Sequence, residues 1–138
     1  MVIDSTKANQ TNYDSDGWLY KDDNLSEYAV YYYSGGSKAD VGTKKANNMN
    51  LYDMSGNVFE WCYDWYNATA NSNDSAYTID GYVQNPVGAS ASGSSYRCRR
   101  GGSYNFSAYD CAVSYRSGSY PDYSFSDLGF RVCRSSSN

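Results

Sequence analysis

Four kinds of side chain here could do chemistry by type and position: the cysteines, a pair of spaced carboxylates, a set of arginines and a dense run of tyrosines. The cysteines are Cys62, Cys98, Cys111 and Cys133. No two form a Cys-x-x-Cys pair, so neither a zinc ribbon nor a thioredoxin-like motif is indicated. An even count permits two disulfides. The alternative is that the thiols stay free, since free cysteine packs as a small buried hydrophobe. Cys62, Cys98 and Cys133 each sit in a short alternating apolar stretch, so free buried thiols are expected. The chain contains no histidine. That removes imidazole bases, His-ligated zinc and the Ser-His-Asp and Cys-His nucleophile systems.

Asp53 and Glu60 flank the turn Ser55-Gly56-Asn57. Two carboxylates with backbone carbonyls between them can wrap one hard cation in oxygen ligands. The competing reading pairs Glu60 with an arginine, Arg100 for instance, and lets Asp53 cap a turn. Arg99, Arg100, Arg131 and Arg134 read as ion-pair partners of Glu60, Asp64 or nearby aspartates rather than as a basic patch.

The tyrosines concentrate near the end of the chain. Residues 104–127 mix Tyr and Phe with Ser, Asp, Asn and Gly. Tyrosine supplies rigid contact area at low entropy cost, while Ser, Gly and Asn supply adaptable hydrogen bonds, which is the composition of antibody paratopes. Tyr104, Phe106, Tyr109, Tyr120, Tyr123 and Phe125 are the expected anchors of a ligand-binding face. Ser107, Asp110, Ser117, Ser119, Asp122, Ser126 and Asp127 are the expected polar contacts, and Asn105, Gly118 and Ser124 complete the face. Tyr115, at strand spacing from Val113, is expected in the core. No residue of the chain is expected to be catalytic.

These groups must be held by something. The chain has 138 residues, enough for one core and too few for two. Its net charge of −4 argues against a nucleic-acid partner, which needs a basic face. No apolar run approaches the roughly 20 residues of a membrane-spanning helix, and the polar residues 1–12 do not resemble a secretory signal. Apolar alternation predicts strands over 28–33, 58–66, 111–116 and 128–134, and residues 96–103 read as a short strand followed by a Gly-Gly break. In the second of these, Phe59, Trp61, Tyr63 and Trp65 share one face. Residues 67–95 read as a long surface loop and 1–27 as a polar arm anchored by Trp18, Leu19 and Leu25. The expected domain is 28–134, with no long amphipathic helix.

Three motifs occur in order: Asn-Leu-Tyr-Asp-Met-Ser-Gly-Asn-Val-Phe-Glu-Trp (50–61), Arg-Arg-Gly-Gly-Ser-Tyr (99–104) and Leu-Gly-Phe-Arg-Val (128–132). Together they resemble the formylglycine-generating-enzyme (sulfatase-modifying factor) family. The resemblance implies an α+β, C-type-lectin-type fold, irregular and loop-rich, with a small antiparallel sheet. It covers the C-terminal half of the usual family domain, so the chain is expected to be a shortened variant or a piece of a longer protein. Carried over, it implies a structural calcium-type site with side-chain oxygens from Asp53 and Glu60 and backbone oxygens from Gly56 and Val58. The family's copper oxidases use a cysteine pair just after the Gly-Gly-Ser-Tyr motif. Residues 105–111 here hold Cys111 alone. A two-thiolate copper site is therefore not expected, and the oxidase is the alternative rather than the leading reading.

Segment 104–127 further resembles the variable region of proteins diversified by retroelements. Substituting the first two bases of template Asn codons cannot yield Lys, Glu, Gln, Met or Trp, and none of these occurs in 104–127. The resemblance implies a non-catalytic, hypervariable receptor-binding module of a cell surface or phage tail. Its partner would be a protein or a surface glycan, with neither nucleic-acid binding nor membrane insertion.

Overall fold

A computed structural model describes residues 24–66 and 95–134. Most of the expected polar arm and nearly all of the expected loop 67–95 lie outside these residues. The elements run α1 (Leu25–Tyr28), a 3-10 turn (Tyr32–Ser34), β1 (Phe59–Trp65), β2 (Arg97–Arg100), a second 3-10 turn (Ala108–Cys111), β3 (Ser117–Ser119) and β4 (Leu128–Gly129). The strands form one sheet in the order β3-β2-β1-β4. β1 pairs antiparallel with β2, and β2 with β3, but β1 and β4 run parallel. The small sheet is therefore mixed rather than wholly antiparallel.

The segments meet at the turn before β1. Gly56 bridges Val30, and its N–H donates to the Gly101 carbonyl at 2.6 Å. Asn57 N–H donates to the Val30 carbonyl, and the Asn57 carbonyl accepts from Tyr104 N–H. The Asn57 side chain exchanges both of its amide bonds with the Ala39 backbone at 3.1 Å. One buried asparagine thus ties four stretches of chain together. Both residues sit in the left-handed region, with φ of 77° for Gly56 and 64° for Asn57. Glycine occupies this region freely and asparagine tolerates it. A Cβ at Gly56 would stand 2.2 Å from the Val30 carbonyl oxygen, so no other residue fits.

The core is small. Phe59, Cys98 and Ser103 are fully buried, and Leu25, Ala29 and Cys111 form a cluster under Tyr31 and Ala108. Phe106 meets Phe59 edge-on at 5.1 Å, and Tyr115, half-buried as expected of a core residue, lies 6.4 Å away. The aromatic face of β1 divides along its length. Phe59 is inside, yet Tyr63 on the same face is 81% exposed. The register matches Glu60 with Arg100 and Phe59 with Leu128, so the neighbouring strands cover the first half of β1. Arg97 then stacks on the later rings, 3.8 Å from Trp65 and 5.3 Å from Tyr63.

Three expected strands are shorter or absent, for local reasons. In 28–33 the Ser34 hydroxyl accepts from Tyr31 N–H and donates to the Tyr31 carbonyl, which closes a turn and leaves a single bridge at Val30. In 111–116 the Asp110 carboxylate accepts from the Ser107 N–H and hydroxyl, starting a 3-10 turn. Side-chain bonds of this kind compete with ladder pairing. Within 128–134 only Leu128 and Gly129 pair, because Arg131 turns to Glu60. The four cysteines are free, as expected, but only Cys98 and Cys111 are buried; Cys62 is half-buried and Cys133 is exposed.

Substituting Gly56→Ala should lower stability by about 3 kcal/mol or more, since it combines a backbone clash with a strained φ. Urea unfolding checks this. An unchanged midpoint would mean that the turn is not held as described.

Candidate ligand-binding site

The site grows from the pairing of β2 with β3. Cys98 faces Gly118 and Arg99 faces Ser117. Gly118 is required by packing, because a Cβ there would lie 2.5 Å from the Tyr66 ring. Arg99 forms a floor. Its guanidinium lies 4.3 Å from the Phe59 ring centre and 5.9 Å from that of Phe106, and its Nε donates to the Ser117 hydroxyl at 3.4 Å. Cation–π stacking holds the charge flat against the core.

Asp127 fixes the other wall. Its carbonyl accepts from Phe59 N–H at 2.8 Å, and its carboxylate accepts from the Ser103 hydroxyl at 3.2 Å. Ser103 is fully buried and its oxygen also accepts from Asn105 N–H. The Gly-Gly-Ser-Tyr motif thereby pins the start of the tyrosine-rich segment to its end.

Between these walls opens a cavity of about 500 Å³. It is lined by Asn105, Phe106, Gly118, Ser119, Tyr120, Tyr123, Phe125 and Asp127 from segment 104–127, and by Tyr96 and Arg99 from outside it. Its rim is a chain of rings. Tyr96 stacks on Tyr120 at 4.4 Å, Tyr123 meets Tyr120 at 5.2 Å, and Phe125 meets Tyr123 at 5.5 Å. The Tyr96 hydroxyl donates to that of Tyr120 at 3.1 Å, which raises the Tyr96 pKa above its ordinary value. Tyr120, Tyr123 and Phe125 keep 37%, 49% and 46% of their surface exposed, so they offer ring faces to solvent. Their mutual contacts, each worth roughly 0.5–1.5 kcal/mol, hold those faces in place before anything binds.

The remaining expected contacts lie elsewhere. Tyr104 and Ser126 bond to each other through their hydroxyls at 3.1 Å. Ser117 is taken up by Arg99. Asp110 is buried, with its carboxylate held by Ser107 and by the Tyr115 hydroxyl; it builds the support rather than the face. Tyr109 packs edge-on against Tyr115 at 5.4 Å. Asp122 and Ser124 are exposed outside the lining. Sequence reasoning missed Tyr96 and gave Arg99 only an ion-pair role. Tyr96 precedes the tyrosine-rich segment by eight residues, and only strand pairing carries it to Tyr120.

The match to known proteins follows this geometry. The sulfatase-modifying factor enzyme 1-like domain matches residues 5–136. The chain belongs to that family. The formylglycine-generating enzyme of Streptomyces coelicolor is 35% identical over 98 residues, 69% of this chain and 28% of the enzyme. The serine/threonine-protein kinase Pkn1 of Chlamydia trachomatis is 35% identical over 86 residues, 62% of this chain and 13% of the kinase. The chain therefore spans less than a third of either relative. Among solved structures, Treponema denticola variable protein 1 superposes with a TM-score of 0.66 at 35% identity, covering 91% of this chain and 42% of that one. PvdO from Pseudomonas aeruginosa shares the fold, with a TM-score of 0.58 at 20% identity over 86% of this chain and 42% of PvdO. The fold of this family member is the loop-rich, C-type-lectin-like one, with few helices and a small curled sheet among the described residues.

Of the residues that the resemblance assigns to calcium, Glu60 and Asp53 are engaged by other donors. Arg131 grips both oxygens of Glu60, at 2.7 and 3.0 Å, and its Nη2 also donates to the Asp53 carbonyl at 2.8 Å. The Asp53 carboxylate accepts from Gly42 N–H at 2.7 Å. Gly56 and Val58 supply the backbone between them, with Gly56 N–H spent on Gly101. Glu60 is ion-paired, as its alternative reading has it, with Arg131 in place of Arg100. Arg100 instead donates to the Val113 carbonyl. Among the described residues no three His, Cys, Asp or Glu side chains gather as a metal cluster.

Burial pushes the Tyr115 hydroxyl up to about 12, helped by its bond to Asp110. Its contribution to stability is therefore complete below the ordinary tyrosine range and is lost as pH rises from about 10 to about 12, because the unfolded chain ionises first. In an alkaline unfolding titration, Tyr115→Phe should flatten this part of the pH dependence; an unaltered profile would place the tyrosine outside the buried network.

Proposed function

We propose that this chain is a non-catalytic ligand-binding protein whose Tyr- and Ser-rich face is hypervariable and is diversified by a retroelement. The observation that carries the reading is the provenance of the cavity wall. Eight of its ten lining residues come from 104–127, the segment that resembles a diversified variable region. The similarity to a protein described as a variable protein supports the same reading. The supporting groups are of a different kind: Asp110, Cys111, Ser103 and Gly102 are buried and committed to backbone or to one another. A base that stays fixed beneath changeable rings limits the ordering cost of binding.

The ligand is a protein surface or a surface glycan, presented to ring faces and hydroxyl groups. Exposed rings grouped in this way are typical of interaction sites. The oxidase reading lacks its chemical groups. Cys111 stands without a second cysteine in 105–111, and burial followed by the nearby Asp110 pushes its thiol up to about 12. Such a sulfur is a protonated packing group rather than a soft-metal thiolate.

Two measurements test the proposal. Sequencing the gene from several isolates should find substitutions concentrated at 105, 106, 119, 120, 123 and 125, with Cys111 and Ser103 constant; an even spread along the chain would defeat the diversification. On arrays of surface proteins and glycans, the double variant Tyr120→Ala, Tyr123→Ala should lose at least about tenfold in affinity for any target that the unaltered protein captures. Its thermal midpoint should fall by only a few degrees. Undiminished capture would remove these rings from the binding face.

A further inference from the structure

We propose that Cys62 and Cys98 form a redox-responsive pair that closes reversibly into a disulfide between the two central strands. The pairing of Glu60 with Arg100 and of Trp61 with Arg99 carries forward to Cys62 opposite Cys98. Facing residues of an antiparallel pair have Cα atoms roughly 4.5–5.5 Å apart, within the span that a disulfide bridges. The two thiols shift each other's ionisation, and each Sγ also reaches a backbone carbonyl of its own strand, Cys62 that of Glu60 at 4.0 Å and Cys98 that of Arg99 at 3.9 Å. Neither is bonded to another cysteine.

The two sulfurs divide the steps by access rather than by acidity. Cys98 is buried, at 1% exposure, while Cys62 is half-buried and reachable. The Cys62 thiol and then the Arg116 guanidinium favour the Cys98 thiolate and hold Cys98 down to about 6 despite its burial; Cys98 in turn pushes Cys62 up. The pair thus carries one sulfur anion and one shared proton near neutral pH.

The oxidant is a low-molecular-weight disulfide such as oxidised glutathione. The shared proton passes to Cys98, and the Cys62 thiolate attacks one sulfur of the oxidant. A mixed disulfide forms at Cys62 and one glutathione thiolate leaves. Cys98 then gives up its proton and attacks the Cys62 sulfur. The bond between Cys62 and Cys98 forms, and the second glutathione thiolate leaves. Two protein sulfurs are oxidised and one glutathione disulfide is reduced; the pair's one shared proton ends on one glutathione thiol, and the other glutathione leaves as a thiolate that takes a proton from water. Closure joins β1 to β2 at the middle of the sheet.

The test uses the full chain, reduced and then held in oxidised glutathione at neutral pH without denaturant. Free thiols are counted after quenching and unfolding, and fragments are mapped by mass spectrometry. The expected result is loss of the Cys62 and Cys98 thiols with no glutathione retained on either, and the fragment holding Cys62 joined to the one holding Cys98. Cys98→Ser should instead retain one glutathione on Cys62, since the resolving sulfur is gone. The oxidised protein should melt at a higher temperature than the reduced one. Four thiols remaining in the unaltered chain, or a linkage through Cys111 or Cys133, would overturn the proposal. Mapping the unaltered chain decides the matter whether or not the variant folds.

Discussion

The left-handed turn at Gly56 and Asn57 is the constraint on which the rest depends. It brings Val30, Ala39, Gly101 and Tyr104 to one point through backbone and amide hydrogen bonds. The described apolar core is too small to do this alone, since among the described residues Phe59 is the only large ring fully withdrawn from water. In so irregular a molecule, directional bonds to buried polar groups substitute for broad hydrophobic faces. Such groups are costly when left unpaired, and that cost selects a single arrangement of otherwise shapeless loops.

From that turn, order passes to the cavity along two routes. One runs through Phe59, whose N–H is held by Asp127 and whose ring carries Arg99 and Phe106. The other runs through Ser103, which is shared between Asp127 and the backbone of Asn105. Both fasten the ends of the tyrosine-rich segment, while its middle is held to β2 through β3. The rings of Tyr120, Tyr123 and Phe125 lean on one another rather than on the core. Changing one of them alters what the face presents without disturbing what holds it. The chemistry of a catalytic family member and the tolerance of a binding face thus pull on the same segment in opposite ways. The proposed function takes the second, on the buried Cys111 thiol and the row of exposed rings.

Charged groups play a structural part throughout. Arg131 joins Glu60 to Asp53 across most of the described chain, at a position where the family resemblance implies a divalent cation. A guanidinium offers a planar fork that matches a carboxylate, and it needs no coordination sphere. Arg97 and Arg99 cover aromatic rings on β1, each using charge to close apolar surface that the short strands leave open.

Several features were legible from residues alone. The turn at 55–57, β1 and β2, the free thiols and the tyrosine-rich segment follow from local chemistry: special backbone angles, period-two alternation and side-chain composition act within a few residues. The motifs at 50–61, 99–104 and 128–132 carried the family because they are the residues that fold onto one another. What lay beyond the sequence needed partners far along the chain. The strand expected at 111–116 became a turn once Ser107 captured Asp110, and that at 128–134 ended where Arg131 met Glu60. Tyr96 entered the cavity, and Cys62 came to face Cys98, through strand register, which a sequence does not display. Residue type sets what a side chain is able to do; which neighbour it does it with is decided only when distant strands pair, because pairing selects contacts by geometry rather than by order along the chain.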